Sequence, residues 1–298
     1  MMKRTSWMLI GLSFLFSACN DNAIFEKEMY KNVVALISSG QHNIFEEEVA
    51  LVDGEVLGYI SVSVGGTQAP TQDLNVDLTE DQAPLDKYNW SQFYGDERLY
   101  AKLLPADKYE IENYSIQVKA GERTGRTMVK LNPEGLSPDS TYFIGLKMTG
   151  REGVEINENK NTILYQVLIK NDYASLAQNS FYSMSGMANG MVTAGNKKMF
   201  PLSKNKVRVV AGNETFSSTE KSINEKSIIL EVNEDNSVTV KPYKDIKVTM
   251  VDGDTNYPNS FEIEESYGRV INVFLLSYEY TIGKNTVLMK ERLEMQVK

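Results

Sequence analysis

The sequence predicts an all-β protein built as two antiparallel β-sandwich-like or barrel-like domains, with a short helix in the first. Three observations carry that expectation. Apolar and polar residues alternate along most strand-sized segments, the pattern of a half-buried pleated surface. Turn residues part these segments at the spacing of a sandwich rather than of βαβ units. The eight prolines read as segment ends or connections. A chain of 298 residues, 42% hydrophobic and 24% charged, has room for two ordinary cores and is far from a disordered composition.

The chain opens on a segment that reads as an address. Lys3 and Arg4 precede the ten-residue apolar run Trp7 to Phe16. As a helix that run would rise about 15 Å, half of a bilayer core, which suits a signal peptide and not a membrane span. Phe16-Ser17-Ala18-Cys19 resembles a bacterial lipobox, in which small residues precede a Cys that is diacylated and becomes the new N-terminus. Residues 1–18 are therefore expected to be a lipoprotein signal peptide and 19–24 a lipidated tether, with lipidation at Cys19. An ordinary secretory signal with Cys19 beside the cut is the alternative. Asp21 resembles the acidic signal that sends Bacteroidetes lipoproteins to the cell surface; the inner, periplasmic leaflet stays open. Removal of residues 1–18 takes away Lys3 and Arg4, leaving 29 basic against 40 acidic residues, a net charge of −11 instead of −9.

In the first domain, expected over 25–171 and Ig-like, strands read at Val56–Val64, Leu74–Leu78, Tyr109–Val118, Thr127–Leu131, Tyr142–Met148 and Ile163–Ile169. Leu85 to Leu104 breaks the alternation and reads as a short helix or helical loop closed by Pro105. Asn171-Asp172 marks the junction. In the second domain, 172–298, the strands are Phe181–Val192, Met199–Val210, Ser227–Val232 and Val238–Val240. Val270–Thr281 then turns at Gly283-Lys284-Asn285 into Thr286–Val297.

A family resemblance adds to this. Tyr88-Asn89, Leu104-Pro105, Tyr109, Ile116, Gly121, Tyr142 to Leu146 and Tyr165 to Asn171 resemble a domain of unknown function at the N-terminus of many Bacteroidetes surface lipoproteins. Phe181-Tyr182, Met184, Gly186, Met191, Asn256-Tyr257, Phe261 and Ser277 to Tyr280 are similar to its companion C-terminal domain. One departure is Gly145, where the pattern expects Pro. The resemblance implies glycan handling in a polysaccharide-utilisation system. The partners it implies are oligo- or polysaccharide, outer-membrane glycan importer proteins and the membrane, through the lipid. It transfers no catalytic residues.

The densest aromatic cluster is Tyr88-Asn89-Trp90 with Phe93 and Tyr94. Aromatic rings stack on the C–H face of a sugar while amides bond its hydroxyls. Tyr88, Asn89, Trp90, Gln92 and Tyr94 are therefore the candidate glycan-binding residues; the competing reading makes the same rings core. One Cys and one His exclude a disulfide framework and the usual zinc sites, and the acidic balance argues against nucleic acid. No metal, cofactor or catalytic residue is expected. Asp252-Gly253-Asp254-Thr255-Asn256 starts like a calcium loop, but Tyr257 and Ile263 stand where Gly and Glu belong. Glu262 and Glu264 leave one face of a strand, as a glycosidase pair would. Asp139-Ser140-Thr141 resembles a Bacteroidetes O-glycosylation motif. The reading is a non-catalytic glycan-binding lipoprotein of the outer membrane; the alternative is a structural surface protein, such as a fimbrial subunit or adhesin.

Overall fold

The computed structural model describes residues 31–151 and 153–297. The signal peptide, Cys19 and the tether lie outside the described residues, within which no helix is long and apolar enough to cross a membrane. The all-β expectation holds: four sheets make two sandwiches, each closed on its own apolar core.

In the first sandwich one sheet runs in the order Glu155–Ile156, Val33–Leu36, Val56–Gly65, Thr124–Leu131, Tyr109–Ile111. The facing sheet runs Ile44–Ala50, Thr162–Lys170, Tyr142–Gly150, Leu74–Glu80, Ser115–Val118. Alternate residues such as Val34, Ile60, Val62, Val76, Ile144 and Ile163 fill the space between them. Pairing is antiparallel except where Val33–Val34, Ile44–Ala50 and Lys102–Leu103 lie parallel to their neighbours.

The expected strand Tyr109–Val118 is two strands in different sheets. Asn113 makes the corner: its N–H donates to Thr127 Oγ1, and its side chain accepts the Ser115 N–H at 2.8 Å. Ile111 and Ile116 are both buried, five residues apart, so they could not share one face of an unbroken strand.

In the second sandwich one sheet runs Met191–Lys198, Phe181–Ala188, Asn285–Gln296, Arg269–Ile282, Lys247–Met250, with Ser260–Ser266 also on Arg269–Ile282. The other runs Phe200–Ser203, Lys206–Val210, Ser227–Val232, Val238–Pro242. The expected strand Phe181–Val192 is a hairpin. Asn189 (φ 49°) and Gly190 (φ 79°) both take positive φ, the two-residue turn that Asn-Gly favours. The expected strand Met199–Val210 likewise folds back between Ser203 and Lys206.

Among the described residues two α-helices interrupt the strands: α1 (Ala83–Phe93), in the expected place, and α2 (Glu220–Lys226), which the alternation did not announce and which Thr219 caps through the Ser222 N–H.

The two cores meet at Asn171. Its amide nitrogen donates to the Ser203 and Lys206 carbonyls at 2.7 and 2.9 Å, and its oxygen accepts the N–H groups of Tyr173 and Ala174. Arg208, held between the rings of Phe200 and Tyr243, reaches back to both carboxylate oxygens of Asp139. The acidic residue of the O-glycosylation-like motif is thus taken up in joining the two halves.

Candidate functional site

Helix α1 lies on the outer face of the sheet that contains Tyr142–Gly150. It starts where the Asp81 carboxylate accepts the Ala83 N–H at 3.0 Å, with Pro84 in the first turn, a place where its missing N–H costs nothing. The chain is pressed onto the sheet at this point. The Asp81 N–H donates to the Gly145 carbonyl at 2.9 Å, and a Cβ on Gly145 would collide with the Asp81 carbonyl. Glycine at the position where the family pattern expects Pro therefore has a local cause. The helix ends at Tyr94, whose backbone is left-handed (φ 49°) and whose N–H closes on the Trp90 carbonyl, followed by Gly95 (φ 89°).

The helix divides the candidate residues by face. Leu85 packs with Phe143 and Leu164 in a small apolar cluster of its own. Tyr88 sits half-buried over Phe143, ring centroids 5.1 Å apart, and burial pushes its hydroxyl pKa upward. Asn89 is buried and fully used: its amide donates to the Ala101 carbonyl at 2.9 Å, and its oxygen accepts the Ala101 N–H at 2.9 Å. Both residues hold the helix and the following segment onto the sheet. His42 joins this inner side, edge-on to Tyr88 and 3.2 Å from the Ser91 hydroxyl.

The other candidates face outward. Trp90 is 68% and Tyr94 87% exposed, and Gln92 is also exposed. Trp90 lies in the last turn of the helix and Tyr94 at the left-handed cap that ends it, so both rings lie at its C-terminal end. A Cβ on Gly95 would lie 3.5 Å from the Trp90 ring, so the absence of a side chain there leaves the indole edge clear. A four-residue spacing runs from Trp90 up the helix to Asp86 and Gln82, which bond each other at 3.1 Å. These two were not among the expected residues, although their four-residue spacing from Trp90 was open to reading.

Beyond the start of α1 lies a cleft of about 490 Å³, walled by Asp81, Gln82, Leu103, Pro105, Tyr109 and Gly145. Glu80 at its rim accepts the hydroxyls of Tyr109 and Tyr114 at 2.9 and 2.7 Å. Burial and then that carboxylate push the Tyr114 pKa up to about 12, so the hydroxyl remains a donor across the ordinary pH range.

The remaining motifs are absorbed by the fold. Asp254, from the calcium-like loop, accepts the N–H groups of Asn256 and Tyr257 and pairs with Lys290 at 2.5 Å. Among the described residues no His, Cys, Asp and Glu group is arranged to hold a metal. Glu264 pairs with Arg292 at 2.8 Å, which holds its carboxyl below the ordinary range, opposite to what a general acid requires.

Both halves match family models. One, for an N-terminal domain, matches residues 25–155; the other, for a C-terminal domain, matches residues 161–294. No curated protein sequence matches the chain. Among solved structures, a protein of unknown function from Bacteroides ovatus is similar at a TM-score of 0.63, 15% identity, over 89% of this chain and 91% of its own. A second B. ovatus protein of unknown function gives 0.61 and 17%, over 89% and 94%. An auxiliary nutrient binding protein from Bacteroides thetaiotaomicron gives 0.59 and 12%, over 85% and 90%. At these identities the similarity is one of fold.

Proposed function

We propose that this chain, which belongs to the two-domain Bacteroidetes family whose N- and C-terminal models match its halves, is a non-catalytic, lipid-anchored surface protein that binds glycan. One observation carries the reading: Trp90, on a helix whose opposite face is committed to the fold, and Tyr94, at that helix's left-handed C-cap, are both exposed. Burying an aromatic ring is favourable, so two exposed rings at one end of the helix leave apolar area free for a ligand. Asp86, one turn from Trp90 on the same face, offers a carboxylate to sugar hydroxyls, and the exposed Gln92 amide leaves another side of the helix. The fold shared with an auxiliary nutrient binding protein is in keeping with this role. The lipid at Cys19 and an importer as partner complete the proposal.

Affinity gels cast with neutral polysaccharides (galactomannan, laminarin, dextran, xylan) test it. Wild-type protein is expected to be retarded on at least one, and Trp90→Ala to be retarded clearly less on that gel, with an unchanged melting transition. Equal retardation of the variant, or no retardation of wild type on any gel, overturns the reading.

The structural-subunit reading has one observation of its own. The strand Met191–Lys198 is a free sheet edge with Met191 and Val192 exposed at its tip. Polymers on size-exclusion chromatography would favour it; a monomer favours the binding reading.

A further inference from the structure

The two sandwiches enclose a second recess, remote in sequence from α1. It has a volume of about 600 Å³ and lies at the junction, between the loops after Ala50 and Leu131 and the hairpin turns of the second half. A shallower recess of about 480 Å³ adjoins it, sharing Asn205, Asn233 and Glu234. Its walls are fixed by the contacts that join the halves: Asn171 on the Ser203 and Lys206 carbonyls, Arg208 on Asp139, and Lys204 on Asp53 across the mouth at 3.2 Å. The cleft is preformed, and junctions of this kind are where ligand sites concentrate.

Its chemistry is specific. Tyr173 lines it with one edge of its ring packed on Phe261 and Phe274 and with a hydroxyl that has no hydrogen-bond partner among the described residues. The Asn236 amide and the carboxylates of Glu134, Asp172 and Glu234 also line it without side-chain partners there. The two cations on its wall are already engaged, Lys204 by Asp53 and Lys206 by Glu231. The cleft therefore offers many acceptors, one aromatic ring, apolar wall from Val52, and no unpaired positive charge. A ligand that suits it must bring many hydroxyl donors and an apolar face, and must not be anionic. A recess of about 600 Å³ with a second one adjoining it has room for more than one sugar ring.

From this we infer that the junction cleft is a second glycan-binding site, one that takes uncharged oligosaccharide chains and rejects sulfated or uronic ones. The inference rests on the glycan-binding reading of α1 and extends it to two sites per chain. Two sites on one chain retain a polymer far more strongly than either alone.

The full mature chain is tested by affinity gels with the same neutral polysaccharides and, as a charge-matched pair, dextran and dextran sulfate. On the gel that retards wild type most, the cleft variant Glu134→Ala/Asp172→Ala/Tyr173→Phe is expected to bind at least tenfold more weakly. Its melting transition should stay put, because the phenylalanine ring preserves the packing on Phe261 and Phe274. Trp90→Ala should weaken binding separately, and the combination should abolish it. No retardation of wild type on any neutral gel overturns both readings. Full loss in Trp90→Ala with wild-type behaviour of the cleft variant overturns the cleft alone. Retardation of wild type on dextran sulfate, or tight binding of spermine in place of any glycan, also overturns it.

Discussion

The two sandwiches differ in where charge is buried. In the first, the buried polar side chains among the described residues are the neutral Asn89 and Thr127, and the conspicuous residues, Trp90 and Tyr94, are outside. The second holds all three buried charged residues of the described chain: Lys197 and Glu291 on the core side of their strands, and Arg208 on the other side of its sheet, against Phe200 and Tyr243. Glu291 accepts Lys197 Nζ at 2.5 Å and the Tyr278 hydroxyl at 2.6 Å, and that hydroxyl accepts the Gly212 N–H at 2.7 Å. A buried ionic network tolerates no single deletion, whereas an exposed aromatic pair can be removed without a structural penalty. The contrast separates residues that hold the molecule together from residues free to serve a ligand.

The largest expected effect breaks the second half. Glu291→Ala strands the buried Lys197 ammonium and the Tyr278 hydroxyl, and chemical denaturation should show a loss of about 3–5 kcal/mol. Replacing the pair together, Lys197→Met with Glu291→Leu, should recover much of that. If the single deletion costs no more than the double replacement, the network does not organise this core.

A smaller effect belongs to the first half. Asn89→Ala removes both bonds to Ala101 and leaves a buried N–H and carbonyl unpaired, a cost of about 1–3 kcal/mol. An effect within error would place Asn89 among the free residues of α1 instead of its anchors.

Smaller still is a pH effect. Glu231, mostly buried between Lys241 and Lys206, has its carboxyl held below the ordinary range, first by its bond to Lys241. Its contribution is fully present above the unfolded carboxylate value near 4.5 and is lost as pH falls through the folded value. Glu231→Gln should remove about 1 kcal/mol of acid dependence from the stability profile, discounted for partial exposure. An unchanged acid limb would contradict the pairing.

Much of this architecture was legible because alternation reports a half-buried strand directly: Val56–Gly65, Tyr142–Gly150 and Arg269–Ile282 lie close to where the pattern places them. What escaped was local. Asn189-Gly190 lies inside an apolar stretch, which masks a dipeptide that favours a hairpin turn. The five-residue step from Ile111 to Ile116 hid the passage between sheets. Helix α2 is too short to show a period. At the candidate site the aromatic cluster was visible, but its division into faces was not. Whether Asn89 or Trp90 points inward depends on Phe143 and Ala101, which reach α1 only after folding.

Backbone strain gives the smallest expected change in stability and the most direct test. Among the described non-glycine residues with positive φ, five are Asn, which tolerates that conformation, and the two others are the exposed Tyr94 and Tyr267. Tyr94→Asn exchanges a strained aromatic for a residue at ease in the left-handed cap. Isothermal titration with the neutral polysaccharide that retards wild type, paired with a melt of the same sample, reads both consequences. The account predicts binding weakened at least tenfold while stability holds or rises by up to about 1 kcal/mol. Undiminished binding, or a marked loss of stability, would contradict the claim that the outer face of α1 serves a ligand and not the fold.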